Sequence, residues 1–146
     1  MLKIDLEKDT NLDRFKLEIE AARNADLLDT YSDLARETGI AYDQARAAAR
    51  RVRAAVELKI RRTDPKEYKL KSYSEAVISA LLDDDKDVQV AEEEVLRCKY
   101  ENAKYADKVI ALQDKSRQLK ILSSLWIGGY YSENGVYQGS PKGEDD

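Results

Sequence analysis

Ten lysines and arginines crowd residues 46–71: Arg46, Arg50, Arg51, Arg53, Lys59, Arg61, Arg62, Lys66, Lys69 and Lys71. Only Glu57, Asp64 and Glu67 oppose them, so the stretch carries +10 − 3 = +7. The whole chain is −4, which leaves −4 − 7 = −11 on all the other residues. An acidic protein that gathers its positive charge in one stretch is equipped to hold a polyanion, since each cation can neutralise a phosphate and release its counterions. Arg46, Arg50 and Arg53 fall at i, i+4 and i+7, on one face of a helix. Ala45, Ala49, Val52 and Val56 form an apolar row beside them. Like charges at this spacing repel by a few tenths of a kcal/mol, and a bound anion removes that repulsion. Tyr68 and Tyr73 lie among Lys66, Lys69 and Lys71, and aromatic rings beside a charged track commonly hold single strands. This pattern points to nucleic acid. The alternative is a solvated helix face, paired with acidic neighbours in the fold or in another subunit.

Other chemistry is poorly provided for. There is no histidine, and Cys98 is the single cysteine. An intrachain disulfide is impossible, and a zinc site of Cys and His is excluded. Cys98 has no histidine to activate it, and it falls on an apolar helical stripe, where it reads as a small packing residue. No GxGxxG and no phosphate-binding GxxxxGK motif is present. The run Asp83–Asp87 lacks the glycine and distal glutamate of a calcium loop. We expect no enzyme, no metal and no cofactor. No apolar run approaches the roughly 18 residues of a membrane span, and MLKIDLEKDT has no apolar signal core. A cytoplasmic protein is expected, with no membrane partner.

The elements that would position the strip are helical. Charged residues make up 37% of the chain, against a typical value of about 25%, and there are only two prolines and one phenylalanine. Long solvent-rich helices suit that profile better than a sheet, so the expected fold is all-α. Residues 1–131 read as a single helical domain and residues 132–146 as a flexible acidic tail. After an arm over residues 1–9, Thr10 or Asn11 caps a first helix to about Thr38, with Leu12, Phe15, Ile19, Ala22, Ala25, Leu28, Tyr31 and Ala35 as its apolar stripe. Gly39 reads as its C-terminal cap, and Ile40–Asp43 as a turn into a second helix over 41–62. The two form an expected antiparallel hairpin. Asp64-Pro65 breaks the second helix, and residues 63–72 form a charged loop. Ser72 to Glu75 has the form of a capping box, opening a short third helix with Val77, Ile78, Leu81 and Leu82. The Asp83–Asp87 run ends it and starts the next helix.

Val88, Ala91, Val95, Cys98, Asn102, Tyr105, Val109, Leu112, Ser116, Leu119, Ser123 and Trp126 then alternate by three and four, a sustained heptad seam. Such a helix is about 60 Å long, and its length argues for self-association. The alternative is packing on the N-terminal hairpin of the same chain. Asn102 sits at a core position, where a polar residue fixes register. The apolar end Ile121–Ile127, followed by Gly128-Gly129 and Tyr130-Tyr131, has the character of an interface anchor. Candidate oligomer-interface residues are Val109, Leu112, Leu119, Leu122, Leu125, Trp126 and Ile127.

In residue order the chain resembles the UvsY family, the recombination mediators of T-even and related bacteriophages. Leu58-Lys59-Ile60-Arg61 resembles the start of the family's LKARLDY element, matching at Leu58, Lys59 and Arg61, with Arg62-Thr63-Asp64 in place of its last three residues. Asp85-Lys86-Asp87-Val88 matches a DKDV string, and a long helix follows with Ser116-Arg117-Gln118-Leu119-Lys120 near its end. The likeness covers roughly residues 12–131. It implies a homo-oligomeric ring of about six or seven subunits, assembled through C-terminal helices. It also implies binding of single-stranded DNA, with a RecA-like recombinase and a single-strand-binding protein as partners. Lys59 and Arg61 are the first expected contacts, followed by Arg62, Lys66, Lys69 and Lys71, with Tyr68 as a stacking residue. A coiled-coil scaffold assembling through the long C-terminal helix is the alternative function.

Overall fold

The computed structural model describes residues 16–127, except the side chains of Trp126 and Ile127. The N-terminal arm and its cap, Leu12 and Phe15, the Gly128-Gly129 stop, Tyr130-Tyr131 and the acidic tail all lie outside the described residues. The fold is all-α. Helix α1 spans Leu17–Arg62, a single 3-10 turn spans Pro65–Tyr68, α2 spans Glu75–Asp84 and α3 spans Lys86–Ile127. Among the described residues no helix is long and apolar enough to cross a membrane. The chain forms two compact units, a central one over Leu34–Tyr105 and a terminal one from the segments before and after it.

The expected break at Gly39 does not occur, and the N-terminal half is one continuous helix rather than a hairpin of two. Gly39 has a packing role instead. A Cβ at this position would lie 3.3 Å from Asn102 Nδ2, tighter than ordinary contact. Asn102 Nδ2 donates to Ala35 O at 2.8 Å and to Thr38 Oγ1 at 3.1 Å. The glycine leaves room for that side chain to reach the α1 backbone. A mid-helix glycine costs about 1 kcal/mol relative to alanine, which the helix formers on either side tolerate. Asn102 therefore fixes the register of α3 against α1 within the central unit. The further pairing of Arg53 with Glu92 shows that the two helices run antiparallel there.

The core of the central unit is Ile60, Ile78, Leu82 and Val88, with Val52, Val56, Tyr73 and Leu81 packed against it. Helix α2 starts later than the expected capping box. Ser74, not Ser72, is the N-cap, and its Oγ accepts from Val77 N at 3.2 Å. Tyr73 packs against the core and donates from its hydroxyl to Thr63 O, 2.7 Å, and the helix begins after it. Asp85 separates α2 from α3 and caps the latter, its Oδ1 accepting from Asp87 N at 2.9 Å and Val88 N at 3.1 Å.

On α3, Arg97 lies 2.7 Å from Glu94 and 3.2 Å from Glu101. Its hydrogen bonds hold the Glu94 carboxyl down at about 2, against an ordinary 4.5. A depressed carboxylate contributes stability that is present above its unfolded value of 4.5 and is lost as pH falls through about 2. Carboxyl NMR titration should place the Glu94 midpoint near 2, and Arg97→Gln should return it toward 4.5. A wild-type midpoint at the ordinary value would contradict this pairing.

In the terminal unit, burial on α3 continues along the heptad seam through Leu112 and Leu119. On α1 the expected stripe holds at its C-terminal part, where Tyr31 is buried and Leu28 and Ala35 are half-buried, and fails before it. Ile19, Ala22 and Ala25 are exposed, and Asn24 and Leu27 are buried in their place. Two polar pairs explain the shift. Asn24 Nδ2 donates to Leu112 O at 3.2 Å, and Lys115 Nζ lies 2.7 Å from Glu20 Oε2. The 2.7 Å separation and low exposure leave their attraction little screened. These contacts place polar residues where an apolar pattern is blind to them.

Candidate nucleic-acid interface

All ten cations of residues 46–71 lie in the central unit. Lys59, Arg61 and Arg62 occupy the last turn of α1, where positive charge also offsets the negative end of the helix. The chain then turns through a compact loop. Asp64 accepts from Lys66 N at 2.9 Å, and Pro65 presets the first position of the 3-10 turn. Lys69 closes it in the left-handed region, φ 59° and ψ 33°, with its N–H donating to Lys66 O at 3.0 Å. That conformation costs a residue with a Cβ roughly 1–2 kcal/mol. Lys66, Lys69 and Lys71 are all exposed.

Tyr73 anchors this loop to the end of α1 through Thr63 O, and burial pushes its phenol pKa up. Tyr68 packs edge-on to Tyr73, with centroids 6.4 Å apart and an interplanar angle of 60°. It keeps 37% of its surface exposed. Of the two tyrosines, Tyr73 is structural and Tyr68 has surface to offer a base.

Three of the ten cations are already paired. Arg46 lies 3.9 Å from Asp43 and 5.5 Å above the Tyr42 ring. Arg53 bridges Asp83 at 3.2 Å and Glu92 at 3.3 Å. Arg61 contacts Glu57 at 2.9 Å and Glu75 at 3.1 Å. The other 10 − 3 = 7, namely Arg50, Arg51, Lys59, Arg62, Lys66, Lys69 and Lys71, have no carboxylate within 4.0 Å among the described residues. All seven are exposed.

The row Arg46, Arg50, Arg53 thus contributes only Arg50 as an unpaired cation. Of the two leading candidates, Lys59 is unpaired and Arg61 is held by two carboxylates. Arg51 was absent from the expected contacts. It stands eleven positions before Arg62, about three turns at about 3.6 residues each, so the two share a face of α1. That spacing was available as a signal. The partners Glu75, Asp83 and Glu92 were not, because tertiary packing of α2 and α3 brings them to α1.

The candidate interface residues on α3 divide differently. Leu112 and Leu119 are buried, at 0% and 4% exposure, so they have no surface to offer a second subunit. Val109, Leu122 and Leu125 are half-buried. The side chains of Trp126 and Ile127 lie outside the described residues. Cys98 is 5% exposed and lies 3.5 Å from Glu94 Oε1. Burial, then Glu94, pushes its thiol pKa up, which disfavours the thiolate a nucleophile requires.

The surface formed by the end of α1 and the loop after it therefore combines exposed point charges and one accessible ring. It can neutralise phosphates and stack a base. Comparison with protein-family models, with curated proteins and with solved structures finds no match to this chain.

Proposed function

We propose that the chain binds single-stranded DNA without sequence preference through the end of α1 and the Pro65–Tyr68 turn. We further propose that it serves as a recombination mediator, loading a RecA-like recombinase onto strands covered by single-strand-binding protein. The observation that carries the binding reading is the set of seven exposed cations with no carboxylate partner among the described residues, together with Tyr68, 37% exposed. Point charges on phosphates confer affinity without sequence information, and a ring that stacks on any base is equally tolerant. The mediator role rests on the resemblance of the chain's motifs and their order to the UvsY family. In a homo-oligomer, linked copies of the surface would convert modest contacts into avidity.

Tyr68 provides the test. Stacking is worth about 1–3 kcal/mol per base by alanine substitution. Tyr68→Ala should therefore weaken binding to single strands by that amount and leave double strands of equal length unaffected, while Tyr68→Phe should retain the preference. Equal losses on both substrates, or no single-strand preference in the wild type, would overturn the single-strand reading. Recombinase filament formation on pre-covered strands, with and without the protein, tests the mediator step.

A second reading, assembly of copies through α3, is favoured by Leu96 and Tyr100. They lie at i and i+4 and are 64% and 76% exposed. Solution mass of the wild type against Leu96→Glu, Tyr100→Glu tests it. A monomeric wild type would remove it.

A further inference from the structure

The carboxylate of Glu75 sits against Nη2 of Arg61. Arg61 Nη2 is 2.9 Å from Glu57 Oε1 and 3.1 and 3.2 Å from the two Glu75 oxygens, and Arg61 Nε adds a 3.1 Å bond to Glu57. One guanidinium edge thus serves two carboxylates of different character. Glu57 is on the same helix, four residues earlier, and its side chain is 38% exposed. Glu75 comes from the first turn of α2, and its side chain is 84% exposed. It binds through Nη2 alone. An exposed ion pair of this kind is weak and screened by salt. Arg61 lies between Lys59 and Arg62 in the last turn of α1, the part of the strip with the most unpaired charge. A phosphate offers the same geometry as a carboxylate to a guanidinium.

We propose that Glu75 is a built-in competitor for the strand, masking Arg61 in the free protein and yielding it when a phosphate arrives. The idea rests on the single-strand-binding reading above and adds a means by which affinity is held down and made reversible. Helix α2 need not move for the exchange. Ile78 and Leu82 keep it in the core, and only the Glu75 side chain has to turn away. Arg53 differs, because both of its carboxylates, Asp83 on α2 and Glu92 on α3, come from other helices.

The test is a double-mutant cycle read by fluorescence anisotropy on labelled oligo-dT over a salt series, using the wild type, Glu75→Gln, Arg61→Gln and the double variant. With Arg61 present, Glu75→Gln should tighten binding about two- to fivefold at low salt. It should also steepen the logarithmic salt dependence by about 0.7, the contribution of one further phosphate contact. In the Arg61→Gln background Glu75→Gln should change nothing. An unchanged affinity on Glu75→Gln overturns the proposal, as does a gain of equal size in both backgrounds, which would mark general charge removal. A wild type that does not bind oligo-dT overturns the binding reading itself, an outcome distinct from a binding wild type indifferent to Glu75.

Discussion

Lys115→Ala is expected to destabilise the terminal unit by about 3–5 kcal/mol, read as a lowered urea midpoint in far-UV circular dichroism. The Lys115 side chain is 2% exposed and that of Glu20 12%, with 2.7 Å between the charges. Removing the ammonium leaves a carboxylate in a poorly hydrated place without its counter-charge, and that desolvation sets the size of the loss. Against a total stability of about 5–15 kcal/mol for a typical domain, the effect is large. The compensating variant separates the causes. Glu20→Leu with Lys115→Met removes both charges and should be as stable as the wild type or more so. A Lys115→Ala loss within about 0.5 kcal/mol, the range of ordinary surface changes, would contradict the pairing.

The second large effect concerns the strip. Lys59→Ala, Arg62→Ala, Lys66→Ala and Lys69→Gly together should lower affinity for oligo-dT several hundredfold at about 0.1 M salt. Each single-strand phosphate contact contributes about 0.7 to the logarithmic salt slope, so four contacts amount to about 2.8 logarithmic units. None of the four has a carboxylate partner among the described residues, so their removal leaves no charge stranded. Glycine also suits the left-handed backbone at position 69. The thermal midpoint should therefore stay near that of the wild type. Loss of affinity with an unchanged salt slope would show that these side chains do not meet phosphates.

Helix identity was legible because spacing by three and four persists through nearly the whole chain. The charge count likewise marked residues 46–71 as the basic stretch of an acidic chain. Three features escaped for physical reasons. Gly39 has the appearance of a helix terminator, yet its absent Cβ makes room for Asn102, a requirement visible only once α3 packs on α1. Asn24 and Lys115 are polar residues on buried faces, so a search for apolar stripes passed over them and chose Ile19, Ala22 and Ala25 instead. Finally, a run of basic residues does not reveal which members are already neutralised. Glu75 and Asp83 lie 14 and 30 residues beyond the arginines they meet, and only the docking of α2 brings them there. Arg61, matched by motif, proved paired, while Arg51, matched by nothing, has no carboxylate partner among the described residues.

The most direct test of the account is the binding of the wild-type chain to labelled oligo-dT by fluorescence anisotropy, titrated from low to high salt. Seven cations with no carboxylate partner among the described residues predict tight binding at low salt and a logarithmic salt slope approaching about −5. No binding at the lowest salt, or an affinity that does not change with salt, would contradict the central claim. The strip would then be a surface for carboxylates of another protein or another copy of this chain.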